Sequence, residues 1–203
     1  MPGNATVMAA AGRGPLAVAG KVARAKRVHT RRALLGAAAS TIFFAGLGRA
    51  AHAALRAERR LLLYNPHTDE RFNDVYWCDG GYVRGSLQRI DWLMRDFHRD
   101  KVAPIDRELL DLLHRIAWRL ETRMPFRILS GYRTVATNRL LREEGWGAAV
   151  HSEHLQGKAA DICISGVRLK QLRRAALSLK AGGVGTYWRD HFVHVDVGPV
   201  RSW

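Results

Sequence analysis

Apolar residues follow two periods along this chain, and the switches between them mark out its elements. Leu61-Leu62-Leu63-Tyr64 and Asp74-Val75-Tyr76-Trp77 are apolar and aromatic runs separated by Asn65-Pro66-His67-Thr68-Asp69-Glu70, a cluster of turn formers, which predicts a hairpin. His67 lies among those turn residues and is expected to face solvent. The period then lengthens. Leu87, Ile90, Leu93, Met94 and Phe97 recur at helical spacing behind Ser86, a residue able to cap, and Leu109, Leu110, Leu113, Ile116, Ala117 and Leu120 do so behind Asp106. Met124-Pro125-Phe126 breaks the pattern, and Phe126 to Leu129 is expected to be a strand leading into Ser130-Gly131-Tyr132-Arg133. Further helices are predicted over Thr137–Glu144 and Leu169–Leu179.

Two late segments return to strict alternation. In Ala160-Asp161-Ile162-Cys163-Ile164, Asp161 and Cys163 fall on one face and Ile162 on the other; in the second, Val193, Val195 and Val197 oppose Phe192, His194 and Asp196. Two strands therefore carry a polar stripe over an apolar layer. The order helix, helix, strand, loop, strand, helix, strand predicts an α+β domain.

Composition divides the chain. Residues 1–53 hold eight Lys or Arg and no Asp or Glu, and they read as an export signal. Thr30-Arg31-Arg32-Ala33-Leu34-Leu35 resembles the twin-arginine motif, Leu34 to Leu47 forms an h-region, and Ala51-His52-Ala53 fits small-x-small cleavage, giving a mature start at Ala54. The alternative is a single anchor, but the segment is short of the ~20 apolar residues that a span prefers. Periplasmic localisation follows, with the twin-arginine export machinery as a partner and no stable membrane span after cleavage. Residues 54–203 remain as one domain with room for a core.

Removing the signal leaves 25 basic against 18 acidic residues, so the net charge falls from +15 to +7. That excess suits a polyanion such as cell wall. No helix-turn-helix or RRM-like motif is present, and no nucleic-acid partner is expected. Cys78 and Cys163 are the two cysteines. An oxidising compartment permits their pairing, and two buried thiols are the other reading.

The polar stripe also has metal chemistry in it. Hydrolytic zinc sites take three protein ligands, imidazoles with a carboxylate, and keep a position for water. His154, Asp161 and His194 supply that set. His154 and Asp161 can meet only if a turn returns a loop to the strand, which Gly157 and the small Ala159 and Ala160 permit.

Ser152-x-His154-x-x-Gly157-x-Ala159-x-Asp161, followed by a late strand histidine, resembles the signature of the LAS metallopeptidases, the group of D-Ala-D-Ala carboxypeptidases and lysostaphin-like endopeptidases. Ser130-Gly131-Tyr132-Arg133-Thr134, Gly182-Gly183-Val184-Gly185-x-Tyr187 and Phe192-Val193-His194-Val195-Asp196-x-Gly198-Pro199-Val200-Arg201-x-Trp203 narrow the resemblance to the YcbK-like peptidoglycan endopeptidases, from about Leu61 to Trp203. It implies a hedgehog/D-Ala-D-Ala metallopeptidase-like fold, a small, mainly antiparallel sheet with helices packed on one face. It also implies a Zn2+ cofactor on His154, Asp161 and His194 and hydrolysis of cross-links between peptidoglycan peptide stems, at bonds joining two diaminopimelate residues. A D-Ala-D-Ala-type carboxypeptidase and a non-catalytic peptidoglycan-binding protein are the alternatives.

The general base is open. The superfamily often has Glu or Asp three residues before the last ligand, where this chain has His191, preceded by Asp190. Asp196 is the first candidate, on His194's strand face and roughly 7 Å along it, although it could instead orient a ligand imidazole. His191 competes with it. Arg133, at the family's Ser-Gly-Tyr-Arg position, suits a substrate carboxylate or the developing oxyanion. Ser152 is expected to fix the His154 loop at the substrate groove. Tyr187 and Tyr132 either line that groove or pack.

Overall fold

The computed structural model describes residues 58–203; the export signal and its cleavage site lie outside the described residues. Eight strands form one sheet: β1 (Arg59–Asn65), β2 (Glu70–Cys78), β3 (Gly81–Tyr82), β4 (Phe126–Ser130), β5 (Ala159–Ile164), β6 (Gly183–Tyr187), β7 (Phe192–Asp196) and β8 (Arg201–Ser202). Their spatial order is β3-β2-β1-β4-β5-β7-β6-β8. Only β1 with β4 and β6 with β8 pair in parallel, so the mainly antiparallel expectation holds.

Alternation along the strands decides which face is dry. Leu61 and Leu63, Phe126 and Ile128, Ala160 and Ile162, and Val193 and Val195 join one core cluster. Three helices complete it: α1 (Arg84–Leu93), α2 (Arg107–Arg119) and α4 (Leu169–Ser178). The α+β class is the observed one, with these three helices on the core face of the sheet. The helix α3 (Val135–Glu143) contributes no residue to that cluster.

Local chemistry sets the helix ends, with two departures from expectation. Asp106 caps α2 as predicted, its side chain accepting from the Glu108 N–H. Ser86 does not cap α1. The helix starts two residues earlier, and the buried Ser86 hydroxyl donates instead to the Val75 carbonyl at 2.6 Å, tying α1 to β2. Likewise α3 begins at Val135, because Thr134 accepts from the Thr137 N–H. Cys78 and Cys163 are free thiols. They lie on β2 and β5, with β1 and β4 between, so roughly 14 Å of sheet separates their strands and the pair is out of disulfide reach.

The loop between β4 and α3 is fastened from below. The Tyr132 N–H donates to the Met94 carbonyl at 2.8 Å, and a side chain on Gly131 would place its Cβ 2.4 Å from that oxygen. Only glycine allows so close an approach. The buried Asp96 carboxylate takes both the N–H and the hydroxyl of Thr134, at 2.9 and 2.8 Å. Arg133 is thereby held at a fixed place over the sheet.

Candidate active site

Asp161 and His194 are direct partners in the antiparallel β5–β7 ladder, so their side chains stand side by side on the face opposite the core. His154 arrives from a single 3-10 turn, Glu153–Gln156, closed by Gly157 at φ 67. A Cβ on Gly157 would lie 2.4 Å from the Pro104 carbonyl. The His154 Nδ1–H donates to the Gly131 carbonyl at 2.6 Å, which turns Nε2 toward the two strand residues. The His154 Nε2 is then 3.2 Å from the His194 Nδ1 and 3.3 Å from the Asp161 Oδ1, and the latter two are 2.9 Å apart. These three buried side chains could hold a metal ion.

Each is oriented by a partner behind it. The Asp161 Oδ2 pairs with the Arg133 Nη2, and the Arg133 Nε–H donates to the Ser130 hydroxyl at 2.7 Å. The His194 Nε2–H donates to the Asp196 Oδ2 at 3.1 Å. Asp196 is fully buried and saturated: it also accepts the N–H groups of Gly183 and Gly198, both at 2.9 Å, and two nitrogens of Arg201.

Charge follows from this wiring. Burial works against the Asp161 carboxylate, yet the two histidines and Arg133 outweigh it and hold the group well below the usual carboxylate range. Burial also opposes an imidazolium at His194, but Asp161 and Asp196 overcome it and push the group up to about 9. For His154 burial wins and the value falls. Asp196 is drawn down to about 2, its own burial outweighed by His194 and the two backbone donors. Two carboxylates around facing imidazole nitrogens make a pocket that wants positive charge, supplied by a proton or by a cation.

A cleft of about 310 Å³ opens over the three groups, walled by Trp146, Tyr187, Phe192 and Trp203. Tyr187 stacks on Phe192 at 4.4 Å and accepts from the Trp203 indole at 3.2 Å; Tyr132 packs against the core instead. Ser152 lines the cleft, but the turn is held by its carbonyl, which accepts from the Leu155 N–H, and not by its hydroxyl. Asp190 and His191 stand elsewhere. Both are exposed on the turn between β6 and β7, His191 at φ 56, and neither lines the cleft. The imidazole and carboxylate groups that do line it, besides the three, are His151 and Glu153. Sequence reasoning missed both, since His151 lies in a loop and Glu153 opens a single 3-10 turn, neither with a periodicity to read.

Residues 53–203 match the family described as peptidoglycan L,D-endopeptidase MepK. The chain belongs to this family. It is 40% identical over 175 residues to peptidoglycan L,D-endopeptidase MepK of Escherichia coli K12, covering 85% of this chain and 96% of that one. Identity to the probable peptidoglycan L,D-endopeptidase MepK of Haemophilus influenzae is 37% over 146 residues, 71% of this chain and 78% of that one. No solved structure matches the chain. Membership of a peptidase family makes the chain a peptidase, of the peptidoglycan endopeptidase kind, and every residue of the cleft lies inside the matched region. The resemblance carried by the histidine and aspartate motifs is thus borne out.

The MepK family's glycine-rich segment has a physical reason here. A Cβ on Gly183 would lie 2.4 Å from the Asp196 Oδ2 and 2.8 Å from the Arg201 Nη1, and one on Gly185 would lie 2.5 Å from the Trp203 ring. Glycine on β6 leaves room for Arg201 of β8 and for Trp203, the residue after that strand, beside the cleft. Arg201 and Trp203 were legible only as part of the family pattern.

Proposed function

We propose that the chain is a zinc-dependent endopeptidase that cuts diaminopimelate-diaminopimelate cross-links of peptidoglycan, acting in the periplasm after twin-arginine export. The observation that carries the zinc reading is the donor set and its spacing. Ligand atoms placed tetrahedrally at the roughly 2.0–2.1 Å of zinc sites stand roughly 3.3 Å from one another, and the three atoms here stand 2.9 to 3.3 Å apart. Once bound, zinc acidifies a water and polarises the scissile carbonyl.

The protein's own groups do the rest. Arg133 fixes the Asp161 carboxylate and keeps its Nη1 for the developing oxyanion. Asp196 sets the tautomer and aim of His194 rather than serving as the base, because its oxygens are committed and it lies behind the ring. The proton of such a water would be taken by Glu153 or His151, the remaining carboxylate and imidazole that line the cleft, and not by the outlying His191. Tyr187 and Ser152 border the substrate.

A cavity of about 400 Å³ shares Arg133, Trp146, Ala148, Asp161 and Phe192 with the cleft. Space on both sides of Asp161 supports cleavage within a cross-link over removal of a terminal residue, so an endopeptidase is favoured over a carboxypeptidase. Among the described residues no helix is long and apolar enough to cross a membrane.

The test is the His154→Ala/His194→Ala double variant. It is expected to purify without zinc and to leave cross-linked muropeptides uncut, while the unaltered protein carries about one zinc per chain. Stoichiometric zinc in the double variant would end the assignment.

A further inference from the structure

We propose that Arg201 binds the substrate carboxylate beside the scissile nitrogen and so selects what may occupy the leaving side of the cleft. This rests on the diaminopimelate reading above. Each amino-bearing carbon of diaminopimelate also bears a carboxyl group. When one such amine becomes the cross-linking amide, its carbon keeps a free carboxylate two bonds from the nitrogen that must leave. The cleft therefore has to receive an anion next to the reacting bond.

Two guanidinium groups line the cleft, and their geometry divides the work. Arg133 serves the reacting centre, with Nε on Ser130, Nη2 on Asp161 and Nη1 assigned above to the oxyanion, and its side chain is 14% exposed. Arg201 is 42% exposed. Its Nη1 and Nη2 meet Asp196 end-on, at 3.2 and 2.7 Å, and Nη1 also donates to the Pro199 carbonyl at 2.9 Å. That leaves Nε–H and one N–H of Nη2 without a hydrogen bond among the described residues. These two donors lie parallel on the side edge of the plane, the arrangement that takes a carboxylate bidentately.

Placement and rigidity agree. The Asp196 Oδ2 accepts from both His194 and Arg201, so one carboxylate separates the guanidinium from the His194 ring, and Arg201 itself lines the cleft over that ring. Arg201 is held in advance by the buried Asp196, by β8 pairing beside Gly183, and by the Trp203 ring 5.2 Å from its Cζ. A donor fixed before binding loses little entropy when the anion arrives.

The experiment compares kcat/KM of zinc-loaded protein on two diaminopimelate-linked muropeptide dimers that differ only in that carboxylate, free in one and amidated in the other. The unaltered protein is expected to prefer the free acid by about 10- to 100-fold, the scale of a charge-assisted pair, chiefly through KM. Arg201→Met is expected to bring the ratio near one by losing activity on the acid alone, with zinc content checked. Should Arg201→Met lose zinc or fail to fold, Arg201→Lys keeps a cation on Asp196 without the fork and is expected to show a much reduced ratio. An unchanged ratio in a zinc-replete variant, or no preference in the unaltered protein, overturns the assignment. If the unaltered protein cuts neither dimer, the cleavage reading itself fails, and this one with it.

Discussion

His194 stands between two carboxylates, with Nδ1 facing Asp161 and Nε2 facing Asp196. Alternation along β7 put His194 and Asp196 on one face at the level of sequence, but not which ring nitrogen each neighbour would meet, and that detail decides between a base and an orienting group. The account predicts that Asp196→Asn weakens zinc affinity by about 10- to 100-fold while kcat at saturating zinc stays within about tenfold; a base would instead give a loss of 10² or more with metal retained. Equilibrium dialysis beside single-turnover kinetics separates the two. The proton on His194 gives a second test. Its folded value of about 9 exceeds the ordinary 6.5, so its contribution to the metal-free fold is complete below about pH 6.5 and is lost as pH rises through 9. Calorimetry of metal-free protein should show Tm falling between those values, and zinc uptake at pH 7 should release about one proton. A flat profile would contradict the wiring.

Among the elements, legibility tracked burial. β5 and β7 alternate cleanly because each buries one face, and the helices α2 and α4 follow their apolar stripes to within a residue or two. β6 escaped because Gly182-Gly183-Val184-Gly185 has almost no side chains to alternate, and β8 because it is two exposed residues held by a neighbour. Their order comes from fit, which no period records. Gly183→Ala should therefore cost about 1–3 kcal/mol in urea denaturation through overpacking against Asp196 and Arg201, and should weaken zinc binding as well. Gly85→Ala is the control, since nothing lies within 4 Å of its Cβ position inside α1. It should be neutral or stabilising by up to about 1 kcal/mol. Equal effects from the two alanines would show that close approach is not what Gly183 provides.

For the molecule as a whole, one core on one sheet face fixes strands whose other face carries the chemistry, and the long connection between β4 and β5 brings Arg133 and His154 to it. The three side chains that could hold a metal were readable as a set because their order and spacing survive in sequence. Arg201's free edge and the cleft's second arm depend on loops meeting in space, and were not. The most direct measurement is a digest of purified diaminopimelate-linked dimers, followed by mass spectrometry, using protein as isolated, stripped of metal, and restored with zinc. The account predicts conversion of dimers to monomers by the first and third samples and none by the stripped one. Intact dimers in all three, or equal cleavage by the stripped protein, would contradict it.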